Sequence, residues 1–472
     1  MSHSFKAAPQ TDAIRARISH PIIDADGHII EFMPLVFDIV GEIAGADTAR
    51  KFAKGHRAGA GIRLHRGGRG MRTARTSFWA LPTENTLDRA TCMMPRLMYD
   101  RLDELGIDFA LLYPTYGLGP TGAQHGEWRR IMARAFNIYY ARHYGEFRDR
   151  LEPVAVIPTF TPEEAIEELD YAVGTLGLKT VTMGAVIARN RLPDGTECDV
   201  WLDTLGHDSL YDYAPVWARC AALRVAPTFH ASSQGVGFRV STRNTVYNHV
   251  GHFAAAQEAA CRSLTMGGAP MRNPTLRFGF LEGGVAWGAQ LYADLLGHFD
   301  KRNREAVMSY DPKLLDLDRF HALFREFAGE TARRFEPQID DDLLHNALSS
   351  VDQDRGELDD FAESGINAGK DIVDMFTRQF YFGCEADDAL NAVAFNRKLL
   401  PHGIQLNAMF ASDVGHFDVP DMREVVPEAW EMVDHGLADE AAFKAFTCDN
   451  IAAMLRGVNP EYFKGTVIEG RL

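Results

Sequence analysis

The sequence predicts an α/β protein, a (β/α)8 TIM barrel carrying large helical and loop insertions. Short apolar runs rich in β-branched and aromatic residues alternate with stretches of helical periodicity, and there are eight such runs. Strands alternating with helices imply βαβ units and a parallel sheet, and eight units are the number that closes into a barrel. Several runs also stop abruptly at acids and histidines, as strands do where a barrel opens onto its site. A doubly wound open sheet is the alternative. No Gly-x-Gly-x-x-Gly follows the first run, which weighs against the dinucleotide-binding version of that sheet.

In chain order, residues 1–19 are polar and read as a loose N-terminal arm, and 20–472 as one barrel domain. The first strand runs through Ile22 and Ile23 to about His28. A segment near 32–100 delays the second strand. Within it, Arg50 to Arg75 carries nine Lys or Arg and no acid, broken by glycines. That block reads as a mobile lid meeting an anionic substrate, or as a solvated loop, or as a contact with an acidic subunit surface. The apolar stretch Phe78 to Pro82 follows it. A helix over 95–105 ends at Gly106, a usual cap residue, and 107–114 is a buried strand.

The alternation then continues. Helices over 127–144, 162–176, 211–223 and 253–266 precede strands over 151–158, 179–183, 224–230 and 276–281. A second insertion spans about 300–370. Strand 379–384, helix 388–400 and strand 405–412 complete the eight.

Composition narrows the function. The 472 residues are 46% hydrophobic and 24% charged, ordinary for a globular chain large enough to bury its own core. A formal net charge of −16 argues against nucleic-acid binding. No apolar run approaches the roughly 20 residues a membrane span requires, and the first 20 residues hold no signal-peptide core. The six cysteines form no Cys-x-x-Cys and read as reduced thiols of a cytoplasmic protein. A small-molecule substrate and a homo-oligomer, a dimer, are the expected partners.

The candidate site comes from the strand ends. Residues i and i+2 on a strand point the same way, so Asp26 and His28 can aim an oxygen and a nitrogen at one point. Asp24 is a second carboxylate on that strand, so either acid can be the ligand. The fifth strand ends at His230, the sixth at Glu282, the seventh at Glu385, the eighth at Ser412-Asp413-Val414-Gly415-His416. Strands 1 and 8 are neighbours once a barrel closes. Asp26, His28, His230 and Asp413 then make a two-carboxylate, two-imidazole metal site, with zinc the first expectation and manganese the second. Asp413, Glu282, His416 and His252 are the candidate catalytic residues. His249 and His252 read as an acid/base pair near the mouth, or as a helix start. Glu31 reads as a surface or helix-start carboxylate, and Asp387-Asp388 as a helix start. Glu385 reads as a group that holds substrate or a metal-site water.

The strand-1 acid-x-His, the strand-5 His and the strand-8 Ser-Asp-x-x-His resemble the metal-dependent amidohydrolase superfamily. Within it they are most similar to the amidohydrolase-related branch that includes aminocarboxymuconate-semialdehyde decarboxylase. The tail fits as well: Asn450 on a helix over 441–455, then Asn459-Pro460-Glu461-Tyr462-Phe463. The pattern departs from the superfamily at three places. Asp26 stands where His is usual, and Glu282 stands where strand 6 often ends in His. Lys179 opens strand 4 rather than ending it, so a carboxylated lysine bridging two metals is not expected and one metal is. The resemblance implies a mononuclear hydrolase using a metal-activated water, with Asp413 taking its proton. A non-oxidative decarboxylase on the same scaffold is the alternative, and a barrel that kept the fold without the activity is the third reading.

Overall fold

The computed structural model describes residues 5–57, 85–230, 239–346, 348–354 and 358–472. The basic block beyond Arg57 and the stretch Phe78 to Pro82 lie outside the described residues. The chain divides into a unit of Met1–Leu291 with Asp374–Leu472, and a unit of Tyr292–Val373.

The first unit is built on parallel strands. They are β1 (Ile23–Ile29), β2 (Phe109–Pro114), β3 (Leu151–Pro153), β4 (Ala155–Ile157) and β5 (Val181–Met183). An antiparallel hairpin follows, β6 (Ile187–Arg191) and β7 (Glu197–Asp203), then β8 (Pro227–Phe229) and β9 (Phe278–Phe280). In the second unit, β10 (His345–Asn346) pairs with β11 (Ser349–Ser350). The first unit ends its sheet with β12 (Phe380–Glu385) and β13 (Asn407–Ala411).

Pairing runs β1-β2-β3 and β4-β5-β8-β9-β12-β13, all parallel. Two links close the ring. Val154, between β3 and β4, donates its N–H to Leu112, and Ala155 donates to Thr180. On the other side His28 donates to Val414 at 2.8 Å and Asp413 to Asp26 at 2.9 Å. β3 and β4 are one strand position, so the closed barrel has eight.

β1 shows no exposed residue, because neighbours cover both its edges and faces. At the other end of the barrel from the site, the tail forms a floor: Met454, Tyr462, Phe463 and Ile468 pack with Ile23, Phe109, Leu111 and Met409. Asn450 donates to the Ala408 carbonyl of β13 at 2.7 Å, and Lys179 to the Tyr462 carbonyl at 3.0 Å. The Lys179 ammonium is thus spent at the floor end.

Several segments differ from expectation. The arm is not loose: Pro9–Arg17 is a helix with Thr11 and Ile14 buried. Arg15 pairs with Asp108 at 2.8 Å, and the Arg17 guanidinium lies 4.7 Å from the Trp430 ring. Within 32–100 the helices Met33–Ala44, Ala46–Arg57 and Thr86–Met93 precede the expected Pro95–Leu105, whose cap Gly106 has φ 77°. The hairpin β6/β7 stands between the expected strand 179–183 and helix 211–223, a stretch to which no element was assigned. The helix over 162–176 is α-helical only for Pro162–Leu169 and widens to a π-turn over Asp170–Thr175. The helix over 388–400 shortens to the 3-10 segment Ala389–Phe395, which Asp388 caps by accepting from Leu390.

The second unit holds itself together with Phe299 edge-on to Phe361 (5.2 Å) and Arg302 paired to Asp360 (2.7 Å). Its helix Leu317–Phe327 buries no residue. Among the described residues no helix is long and apolar enough to cross a membrane.

Candidate metal centre

β1 brings in the first two groups. Its register against β2 shifts between Asp24 and Gly27. The shift separates two carboxylates that simple alternation would place alike. Asp24 turns to Ser412: one oxygen accepts from the Ser412 N–H (2.9 Å) and the Asp26 N–H (3.1 Å), the other from the Ser412 hydroxyl (2.5 Å). Asp24 is therefore a structural acceptor, and Asp26 faces the cluster. Burial pushes the Asp24 carboxyl up to about 6, with the Ser412 bonds opposing it.

Six side chains meet at the strand ends. His28 Nε2 lies 3.5 Å from Asp26, 3.3 Å from Glu282 and 3.2 Å from Asp413. It also lies 3.3 Å from His230 Nε2. His230 Nε2 is 3.1 Å from Glu282 and 3.8 Å from Asp26. His416 Nδ1 is 2.7 Å from Asp413 and 3.3 Å from Glu282. The ligand atoms form two overlapping sets, Asp26, His28, His230, Glu282 and His28, Glu282, Asp413, His416, each within 4.8 Å. All six residues are buried. No single set holds all four expected ligands: Asp26, His28 and His230 share one with Glu282, while Asp413 shares the other with His28, Glu282 and His416.

The backbone is bent to achieve this. Glu282 and Asp413 have φ of 56° and 52°, a left-handed conformation that costs a residue with a Cβ about 1–3 kcal/mol and collects at functional sites. Gly415, at φ 110°, lets the chain cross β1: a Cβ there would sit 3.0 Å from His28 Cβ. His28 Nδ1 is 3.3 Å from the Pro114 carbonyl. A ring N–H donated there leaves the Nε2 lone pair facing inward, as metal-binding imidazoles are oriented. Tyr113 lies beneath, 6.4 Å from His28 and 5.9 Å from His230, its hydroxyl donated to Thr228 at 2.9 Å.

The donor set fits a cation. Both oxygens of Asp26 and of Glu282, and Oδ1 of Asp413, are buried without an aligned hydrogen-bond donor. Among the described residues no Lys or Arg pairs with these three acids; only histidines do. Uncompensated buried carboxylates are costly. Without a metal, protons carry the compensation. Burial opposes charge on His416, but Asp413 and Glu282 outweigh it and hold it well above the usual imidazole range. Burial raises Glu282, yet His230, His28 and His416 hold it well below the usual carboxylate range. Burial leads in raising Asp26 well above that range.

Around the cluster, His249 ends the helix Thr245–His249 and His252 opens the helix His252–Met266. Their rings are 4.8 Å apart, with His249 5.6 Å from Phe417 and Phe253 5.8 Å from His230. Burial, then His249, pushes His252 down to about 3. At neutral pH it is a neutral hydrogen-bonding group, not the proton donor its position invited. Glu31 corrects another expectation. It is 1% exposed and accepts from Tyr140 (2.6 Å), Tyr116 N–H (2.9 Å) and Gly117 N–H (3.0 Å), which anchors the turn after β2. Glu385, at the end of β12, is pushed up to about 9 by burial, then by Asp413, Asp418 and Glu282.

No family model matches the chain, and no curated protein matches it in sequence. Solved structures do match in fold. An amidohydrolase, map2389c from Mycobacterium avium subsp. paratuberculosis K-10, superposes with a TM-score of 0.52 at 15% identity, covering 93% of this chain and 100% of that one. A dihydroxybenzoic acid decarboxylase from Polaromonas sp. JS666, with bound manganese and the inhibitor 2-nitroresorcinol, gives 0.51 at 13% identity, covering 93% and 97%. The IDCase of Metarhizium anisopliae in apo form gives 0.50 at 14% identity, covering 93% and 97%. The chain therefore has the barrel fold of this amidohydrolase and this decarboxylase, the two kinds of enzyme its strand-end motifs resemble.

Proposed function

We propose that the protein is a metal-dependent carboxy-lyase that removes a carboxyl group from a small aromatic acid without an oxidant. The observation that carries the reading is the cluster itself: three acids and three imidazoles with no lysine among them, framed by half-buried Phe253 and Phe417. Such a set suits one divalent ion, and the two aromatic rings suit a flat substrate. The shared fold with a dihydroxybenzoic acid decarboxylase supports it.

Asp26, His28, His230 and Asp413 would hold the ion, with Glu282, common to both ligand sets, beside them. Their oxygen share favours manganese as much as zinc, since carboxylates suit harder cations and imidazoles suit zinc. Bound there, the ion supplies a Lewis acid for the oxygens of an anionic substrate. His28 is held in its tautomer by the Pro114 carbonyl. The Asp413–His416 pair stores a proton across 2.7 Å. As the bond between ring carbon and carboxyl breaks, its electron pair stays on the ring carbon, this proton joins it, and CO2 leaves. Glu385, protonated at neutral pH, offers an O–H to a substrate oxygen. His252 takes part as a neutral hydrogen-bonding partner.

Hydrolysis is the second reading, favoured by the fold shared with map2389c. In it Asp413 takes the proton of a water that attacks an ester, lactone or amide. Metal-replete protein is incubated with hydroxybenzoates and, in parallel, with aryl esters and lactones. Trapped CO2 with a phenolic product supports the lyase; ester or lactone cleavage without CO2 overturns it for the hydrolase. The proposal also includes a reducing, cytoplasmic setting, consistent with six unpaired cysteines, and a homodimer, which sedimentation checks.

A further inference from the structure

A cavity of about 400 Å³ lies outside the barrel, between the hairpin β6/β7 with its following loop and the helix His252–Met266. On the helix side Ala255, Ala259, Arg262 and Ser263 line it, and on the hairpin side Leu202 and His207. The helix positions share one face, where a barrel-covering helix ordinarily carries large apolar residues. Here alanines leave the space open. The walls cannot close on it, because the loop is pinned. His207 donates its backbone N–H to the Ser263 carbonyl at 3.0 Å. A Cβ on Gly206 would fall 2.4 Å from that carbonyl oxygen, so the contact is already as close as glycine permits. Ser263 is 7% exposed, and its hydroxyl has no hydrogen-bond partner, an arrangement that is destabilising unless something supplies one. A different face of the same helix braces the strand ends: Gln257 donates to the carbonyls of Phe229 and Leu281, both at 2.8 Å, one residue before His230 and Glu282.

The geometry points to a second ligand site here, for a small molecule with a flat apolar ring body and one oxygen that meets the Ser263 hydroxyl. The space is open to solvent on one side, and its volume of about 400 Å³ accommodates a body of two fused rings. Arg262 also lines the cavity, and its guanidinium, paired with Glu258 at 3.4 Å, carries more N–H donors than that one contact uses, which favours an oxygen acceptor on the ligand. The site stands apart from the metal cluster and does not depend on which reaction that cluster runs.

The probe is 2-naphthol, with naphthalene as the control lacking oxygen, titrated into metal-replete protein and followed by the probe's fluorescence. Ala259→Trp fills the cavity, and Ala255→Leu fills part of it should the first variant fold poorly by circular dichroism. The expected result is saturable binding that Asp413→Asn leaves unchanged and that Ala259→Trp or a folded Ala255→Leu weakens at least tenfold. Ser263→Ala weakens 2-naphthol about fivefold, the value of one hydrogen bond, and leaves naphthalene unaffected. No saturable binding by the wild type, or equal binding by wild type and the filled variants, overturns the site.

Discussion

Asp24 and Asp26 stand two residues apart on β1, both with no exposed surface, and they end in opposite environments. Asp24 accepts three hydrogen bonds from Ser412 and the Asp26 N–H. Asp26 accepts none and faces histidines and acids. Glu31, further along, repeats the Asp24 pattern with Tyr140 and two backbone donors. Glu282 repeats that of Asp26. The difference teaches how to tell a structural carboxylate from a ligand at equal burial. The first has its lone pairs filled by the protein; the second leaves them converging on one point that only a cation or protons can fill.

The largest effect should follow from breaking the ligand side. Asp413→Asn keeps the shape and removes the charge, so it should cost turnover roughly 10²–10⁴-fold through the lost proton carrier, and more through lost metal. Glu282→Gln should fall between that and His416→Asn, where a loss of roughly 10–100-fold is expected of a residue acting through Asp413. Rates, metal content and circular dichroism measured together check the order. Full activity with native metal content in Asp413→Asn would remove β13 from the catalysis.

Next comes the contrast within β1. Added manganese or zinc should stabilise the chelator-treated wild type, by about 2.7 kcal/mol at a hundredfold excess over the dissociation constant. Asp26→Asn should abolish most of that gain. Asp24→Asn should keep it and instead lose roughly 1–3 kcal/mol of baseline stability, because Ser412 loses a charged acceptor. Thermal unfolding with and without metal separates the two; equal metal responses would erase the distinction drawn between them. Tyr140→Phe should cost less, about 1 kcal/mol, since Glu31 keeps two backbone donors.

Much of this was legible before any coordinates, and what was not has a physical reason. The eight strand positions were readable because buried strands are uniform apolar runs, and Asp26, His28, His230 and Asp413 because each ends such a run. The choice between Asp24 and Asp26 was not readable, since period-2 alternation treats them alike and the register shift at Asp24–Gly27 leaves no mark in composition. Glu31 reads as a surface acid until Tyr140, over a hundred residues away, is placed against it. The hairpin β6/β7 did leave a signal, Asp194-Gly195 between two alternating runs, with the Asp194 side chain accepting from Thr196. The depressed His252 arises from burial, which no local pattern encodes.

The smallest effect tests the edge of the ligand region, where Glu385 shares neither environment fully. Burial, then Asp413, Asp418 and Glu282, raise its carboxyl to about 9 from a usual value near 4.5. The folded chain then binds a proton that the unfolded chain has released over roughly pH 5 to 9. Stability must fall as pH rises through that window, because the native state holds the extra proton. Glu385→Gln mimics the neutral acid and cannot ionise, so it should remove this slope. In chelator-treated protein the variant should gain on wild type as pH rises from 5 to 8. The gain should reach only about 1–2 kcal/mol, since Glu385 is partly open to solvent and its interactions are screened. Below about pH 5 the advantage should vanish, both forms being neutral in the native state. Adding metal should shrink it, because a nearby cation favours the ionised acid. Urea unfolding at pH 5, 6.5 and 8 reads all three signs. A variant that loses stability relative to wild type as pH rises would show that Glu385 is ionised in the native protein and belongs with the ligands.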